Sequence, residues 1–345
     1  MTREAAARAP SGRVYEALAA RRALVLVLLV LILGVVVLAS LCSGATDMGP
    51  VRVLKALLGG GGRDSAVVWS LRAPRVAMAL LVGAGLASGG ATTQAILRNP
   101  LASPFTLGVA SGAAFGAALV ILAGATQRWL PATSAFGFAL LASLLVLGVS
   151  RLKSGGSGIL ILGGVAIMFL FSSMTSFIQY LGDEHQVRAI VFWTFGSLSK
   201  ACWPDIAVAS AMILGPLPLL LRRAWDLNVL AAGEDAARSM GVNVDVLRAG
   251  GVVLAALMTA GAICFTGVVG FIGLVAPHIA RMLIGGDHRF LLPACCLLGA
   301  ALAALADLVG RLVWPPQVIP IGIMTAVIGA PFFMHLLLKR RREYW

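Results

Sequence analysis

The stretch AGGVVLAALMTAGAICFTGVVGFIGLVAPHIA, residues 249–280, runs for 32 residues without an Asp, Glu, Lys or Arg. As a single helix it would be about 48 Å long at 1.5 Å per residue. A bilayer core is only about 30 Å thick. The stretch also holds Gly261, Gly267, Gly270, Gly273 and Pro277, residues that weaken or break a helix. It therefore divides near Thr266-Gly267 into two spans.

Eight further uncharged runs lie around it, at 23–41, 76–97, 99–127, 129–150, 154–182, 206–221, 290–306 and 312–338. Only 12% of the 345 residues are charged and 59% are hydrophobic, against about 25% charged in soluble domains. Backbone groups in lipid must bond within their own segment, so the chain is an all-α polytopic membrane protein. Dividing the long run gives ten transmembrane helices with both termini on one side. Lys and Arg decide the count, because they favour the cytoplasmic side. Ten spans put 18 inside and 9 outside, whereas nine spans put 13 inside and 14 outside and turn KRRR (339–342) outward. Ten spans with cytoplasmic termini is the reading. Residues 1–22 are then a cytoplasmic tail, 23–338 one transmembrane domain with a cytoplasmic segment at 226–248, and 339–345 a basic tail. Arg21-Arg22 before 23–41 resembles a signal peptide, but 19 apolar residues exceed a signal core of about 7–15; we read a retained first span.

The net charge of +13 sits in tails and loops, which argues against nucleic acid as a partner. None of the four lysines follows a glycine in a G-K-[ST] phosphate loop, so any nucleotide hydrolysis belongs to another subunit and this chain is not an enzyme. The four histidines and five cysteines show no metal-ligand spacing. Asp307 lies one helical turn before Arg311, which points to an ion pair near the outer interface. Gly108, Gly112 and Gly116 share one helical face, and Gly85 and Gly89 share another, as close helix packing in lipid requires. VFWTFGSLS (191–199) is expected to hold a short helix at the outer surface.

AAGEDAARSMGV (231–242) stands apart. It puts Glu234, Asp235 and Arg238 between two apolar runs; its alanines favour helix and its charges keep it out of lipid. From the residues alone it is either a solvated loop or a docking segment.

The stretch LRAPRVAMALLVGAGLASGGATTQAILRNPLASPFTLGVASGAAFGA (71–117) resembles permeases of binding-protein-dependent ABC importers for iron-siderophore, haem and cobalamin, the FecCD and BtuC type. So do LILGGVA (160–166), FWTFGSLS (192–199), GEDAARSMGV (233–242), GVVGFIGLVAPHIARMLIGGDHRFLLP (267–293) and IPIGIMTAVIGAPFFMHLLL (319–338). The resemblance implies ten spans and a homodimer in a prokaryotic cytoplasmic (inner) membrane. It also implies two ABC ATPases inside, which use ATP and Mg while this chain holds no cofactor, and an extracellular or periplasmic binding protein. It makes Gly233, Glu234, Asp235, Ala236, Ala237, Arg238, Ser239, Met240 and Gly241 the ATPase-coupling segment. Arg72, Arg75 and Arg311 become docking points for acidic residues of the binding protein, with interfacial snorkelling as the alternative. Asn99 and Leu101 in RNPLASP, and Ser157 and Gly158 in SGGSG (154–158), become two narrowings of the pathway on the cytoplasmic side; the glycines of SGGSG depart from bulkier polar residues in some relatives. The implied cargo is an iron complex, siderophore or haem, with cobalamin as the alternative. Phe192, Trp193 and Phe195 offer aromatic contacts, but aromatics are expected at a membrane interface anyway. A secondary carrier is the rival from another class, since such carriers use broken helices around a mid-membrane site; the lack of a well-placed buried acid and the presence of GEDAARSMGV oppose it.

Overall fold

The structure, a computed structural model, describes residues 11–44, 47–59, 62–125, 127–152 and 156–338. These residues form helices, with no strand among them. In chain order they are α1 (Ser11–Cys42), α2 (Pro50–Leu57), α3 (Gly62–Val67), α4 (Ala73–Leu97), α5 (Val109–Leu122), α6 (Trp129–Leu152), α7 (Ser157–Leu181), α8 (Glu184–Thr194), α9 (Trp203–Leu214), α10 (Pro216–Arg222), α11 (Ala224–Ala231), α12 (Glu234–Ser239), α13 (Val244–Thr266), α14 (Ile272–Ile284), α15 (His288–Leu312) and α16 (Ile321–Leu338). Seven helical segments among them are long and apolar enough to cross a membrane, and three apolar helices, in α5, α14 and α16, are shorter.

The long run breaks where its glycines predict. α13 ends at Gly267, whose φ of +74° suits glycine and few other residues. The chain resumes as α14 after Phe271, which itself has φ +64°. The gap is filled by the loop after α8. Ser197 N donates to Thr266 O (2.6 Å), and Gly322 N donates to Phe195 O (3.1 Å). A Cβ on Gly267 would come within 2.1 Å of Trp193 O, so the breaks at 195–197 and 267 and the start of α16 meet at one point.

The run 99–127 differs from expectation. It yields only the 14-residue α5, because Asn99-Pro100 ends α4 and Ser103-Pro104 builds a tight turn, each proline disfavouring helix in the residue before it.

α4, α13 and α15 form the buried centre, while α1, α7 and the α9–α10 pair stay mostly uncovered. Leu24, Val27, Leu31 and Val35 of α1 and Leu162, Phe169 and Phe177 of α7 are exposed, an arrangement suited to lipid and unsuited to water. α4 runs antiparallel to α15 and packs through glycine against both α15 and α14. A Cβ on Gly83 would reach Gly299 O at 2.1 Å, and one on Gly90 would reach Gly273 O at 1.9 Å. The two glycine faces read from the sequence also pack internally. Gly112 and Gly116 lie against backbone of α6, Gly85 against Ile213 and Gly89 against Thr259. The antiparallel pairing of α4 with α15 defines two ends of the bundle. Arg75 and Asp307 meet at one, and Gln94 and Arg281 meet toward the other.

Candidate functional site

The charged segment folds as a helix pair, α11 and α12, hinged at Ala232-Gly233. Gly233 (φ +131°) and Gly241 (φ +83°) bound α12 in conformations that side chains oppose,. Glu234 and Asp235 occupy its first turn and Arg238 its last, as the helix dipole favours. Ala237 is buried, and Asp235, Ala236, Arg238, Ser239, Met240 and Gly241 are exposed. Glu234 turns back into the protein and pairs with Arg248 of α13. Arg248 is buried, with 6% of its side chain exposed, and also lies 3.8 Å from Asp245. Arg238 reaches Asp245 at 3.5 Å. These side chains, with Arg151 and Gly156, line a cavity of about 530 Å³ beside the junction of α6 and α7.

The other member of the pair is tied down separately. Asn228 of α11 donates to Asp287 (2.8 Å) and accepts from the backbone N–H of His288 (2.8 Å). Asp287 caps α15 and also binds Arg289 (2.7 Å) and Arg22 of α1 (3.2 Å). Burial alone would raise the Asp287 pKa, but hydrogen bonds from Arg289 and Asn228 outweigh it and hold the carboxyl at about 2. Sequence reading missed Asn228, Arg248 and Asp287. The Asp245 to Arg248 spacing of one turn was a signal for Arg248 alone; Asn228 and Asp287 meet across 59 residues, which no local spacing reports.

At the opposite end, Arg72, Arg75 and Arg311 come together. Arg75 grips Asp307 with Nε and Nη2 (2.8–3.0 Å), and Arg311 Nε shares the same carboxylate at 3.2 Å. The ion pair expected between Asp307 and Arg311 is present, and Arg75 joins it. The remaining donors close the end of α1. Arg72 Nη1 donates to Leu41 O (2.7 Å) and Cys42 O (2.8 Å), while Arg311 donates to Ser43 O (2.7 Å) and Ser40 O (3.2 Å). These carbonyls are the orphan acceptors of a helix end, where the dipole favours cations. The arginines are thus set into the protein: side-chain exposure is 16% at Arg75 and 11% at Arg311.

Asn99 and Leu101 follow the left-handed Arg98 (φ +49°) that ends α4. Asn99 Oδ1 accepts from Leu101 N (2.9 Å), fixing the turn, and Leu101 is exposed. Ser157 and Gly158 open α7, with open space beside Gly158; Ser154 and Gly155 of the same stretch lie outside the described residues. The turn at 104–107 joins the two regions, since a Cβ on Gly164 of α7 would approach Thr106 O at 2.2 Å.

A multi-pass bundle with a charged helix pair at one end and a shared-carboxylate arginine cluster at the other agrees with three comparisons. The FecCD transport family matches residues 29–339. The hemin transport system permease HmuU of Yersinia pestis is 36% identical, over 89% of this chain and 95% of its own. The cobalamin import system permease BtuC of Halobacterium salinarum is 38% identical, over 79% of this chain and 74% of its own. A solved transporter described as of metal-chelate type, in an inward-facing conformation, superposes with a TM-score of 0.82 at 35% identity, covering 92% of this chain and 99% of that one. The chain belongs to the FecCD transport family, the transmembrane permease subunits of ABC transporters.

Proposed function

We propose that this chain is the permease of an ATP-driven importer that takes an iron complex, siderophore or haem, from a binding protein and passes it to the cytoplasm. Cobalamin is the alternative cargo. Seven long spans and three short ones make ten crossings, with both termini cytoplasmic. Two copies line the pathway, two ATPases bind inside with ATP and Mg, and the binding protein docks outside on Arg72, Arg75 and Arg311. Asn99 and Leu101, with Ser157 and Gly158, narrow the cytoplasmic exit.

One observation carries the reading: α11 and α12 present Asp235, Arg238 and Met240 outward while each is tied to a different long helix, α11 through Asn228 to the start of α15 and α12 through Glu234 to α13. A push on this pair has two routes into the bundle, as ATP-driven alternation of access requires. Ser157 and Gly158 directly follow Gly156, which lines one cavity with Arg151 and Arg238.

The test is accessibility and coupling of one site. A cysteine at Ser239 should resist a membrane-impermeant thiol reagent in intact cells and react in inverted vesicles. Arg238→Glu should uncouple ATP hydrolysis from uptake while leaving the permease folded. Labelling of Ser239→Cys from outside would reverse the topology. The ligand retained by the partner binding protein would identify the cargo.

A further inference from the structure

The arginine cluster is neutralised from within. Two guanidinium groups, those of Arg75 and Arg311, face one carboxylate, Asp307, which is 4% exposed, while Arg72 and Arg311 face the carbonyl end of α1, worth roughly half a negative charge. Positive charge remains in excess. Yet Arg75, the group best shaped for a bidentate carboxylate contact, already holds one: both Asp307 oxygens lie within 3.0 Å of its Nε. An incoming acidic side chain cannot form that fork while Asp307 occupies it.

We propose that Asp307 is a positioning residue that stands in for the binding protein's carboxylate, so that docking proceeds by exchange of ion pairs rather than by occupation of free arginines. This rests on the docking reading of Arg72, Arg75 and Arg311. In the undocked state Asp307 aligns Arg75 and Arg311 and keeps both off solvent. On docking, the external carboxylate takes the Arg75 fork, and Asp307 keeps Arg311 alone (3.2 Å). Arg311 also holds Ser40 O and Ser43 O, so the exchange bears on the end of α1 and on α15 together. Arg75 carries the exchange because its Nη1 makes no hydrogen bond among the described residues, leaving a donor to receive the newcomer before Asp307 lets go.

The experiment measures affinity of the cognate binding protein for the reconstituted transporter. Asp307→Asn removes the internal competitor, so docking should tighten, by about fivefold, because only the difference between the pair lost and the pair gained appears in the docking affinity. Asp307→Glu should restore wild-type affinity. Ser40→Asp, which adds a second internal carboxylate beside Arg311 Nη2 (3.4 Å from Ser40 Oγ), should weaken docking and carries the test if Asp307→Asn does not fold. Weaker or unchanged docking in folded Asp307→Asn, or unchanged docking in Ser40→Asp, overturns the exchange. Arg75→Gln separates the two readings. If it docks as wild type does, the docking assignment is itself wrong; if it docks poorly while Asp307→Asn gains nothing, only the exchange fails.

Discussion

The two ends of the bundle solve the same electrostatic problem with opposite signs. At one end a buried acid, Asp307, holds two bases, Arg75 and Arg311. At the other a buried base, Arg248, holds two acids, Glu234 and Asp245. The hubs are equally buried, at 4% and 6% side-chain exposure, but the arms differ: 16% and 11% against 30% and 70%. Arms that are themselves buried cannot find water when their hub is lost; exposed arms can. The first cluster therefore clamps α1, α4 and α15 as long as no external carboxylate replaces Asp307 at Arg75. The second is a joint whose outer members, Glu234 and Asp245, can give up their partner to water.

Deleting each hub should expose this difference most strongly. Asp307→Ala leaves two desolvated guanidinium groups facing one another, and breaking a buried pair costs about 3–5 kcal/mol. Arg248→Ala leaves carboxylates that rehydrate, so its cost should stay near 1 kcal/mol. Apparent melting of the purified permease should fall much further for Asp307→Ala. Equal losses would mean that the two clusters are built alike.

A third hub, Asp287, tests whether an acid at the coupling end resembles the clamp or the joint. Its arms are Arg22, Arg289 and Asn228, and 13% of its side chain is exposed. Its folded pKa of about 2 lies below the ordinary carboxylate value near 3.9. The stabilisation is thus fully present above about pH 4 and is lost as pH falls through about 2. Asp287→Asn should melt below wild type at pH 7, and the gap should close on acidification below pH 4. A gap that persists at low pH would assign the loss to packing of α11 on α15 rather than to charge.

Much of this contrast was visible in the sequence at the level of segments and hidden at the level of pairs. The break at Gly267 could be read from span length and glycine alone, because a 30 Å slab limits any helix. The expected pairing of Asp307 with Arg311 could be read because both lie on one helix, four residues apart. Arg75 lies 232 residues from Asp307, and no helical period reports such a contact. For the same reason the sequence assigned Glu234 to the charged segment without showing its partner, Arg248; its placement depends on how α12 folds back at Gly233. The turn at 99–108 was misjudged by counting uncharged residues, since Pro100 and Pro104 shorten α5 without adding any charge.

The smallest expected effect is the most direct test of the joint. Asp245 is 70% exposed and contacts both Arg238 (3.5 Å) and Arg248 (3.8 Å), distances too long for strong hydrogen bonds. Exposed pairs of this kind contribute about 0–1 kcal/mol, so Asp245→Asn should barely change melting. Its effect should instead appear in coupling. With Asp245 neutral, Arg238 loses the one acidic side chain within 4 Å of it among the described residues and is presented to the ATPase with its charge uncompensated. ATPase binding should then depend more steeply on salt than in wild type, because the Debye length falls from about 10 Å at 0.1 M to about 3 Å at 1 M. The corresponding change at the clamp, Ser40→Ala, removes one weak contact to Arg311 (3.4 Å) and should leave ATPase binding and its salt response untouched. Parallel salt titrations of the two variants would separate the joint at the ATPase-facing end from the clamp at the other; matching responses would show that the ends are not specialised in this way.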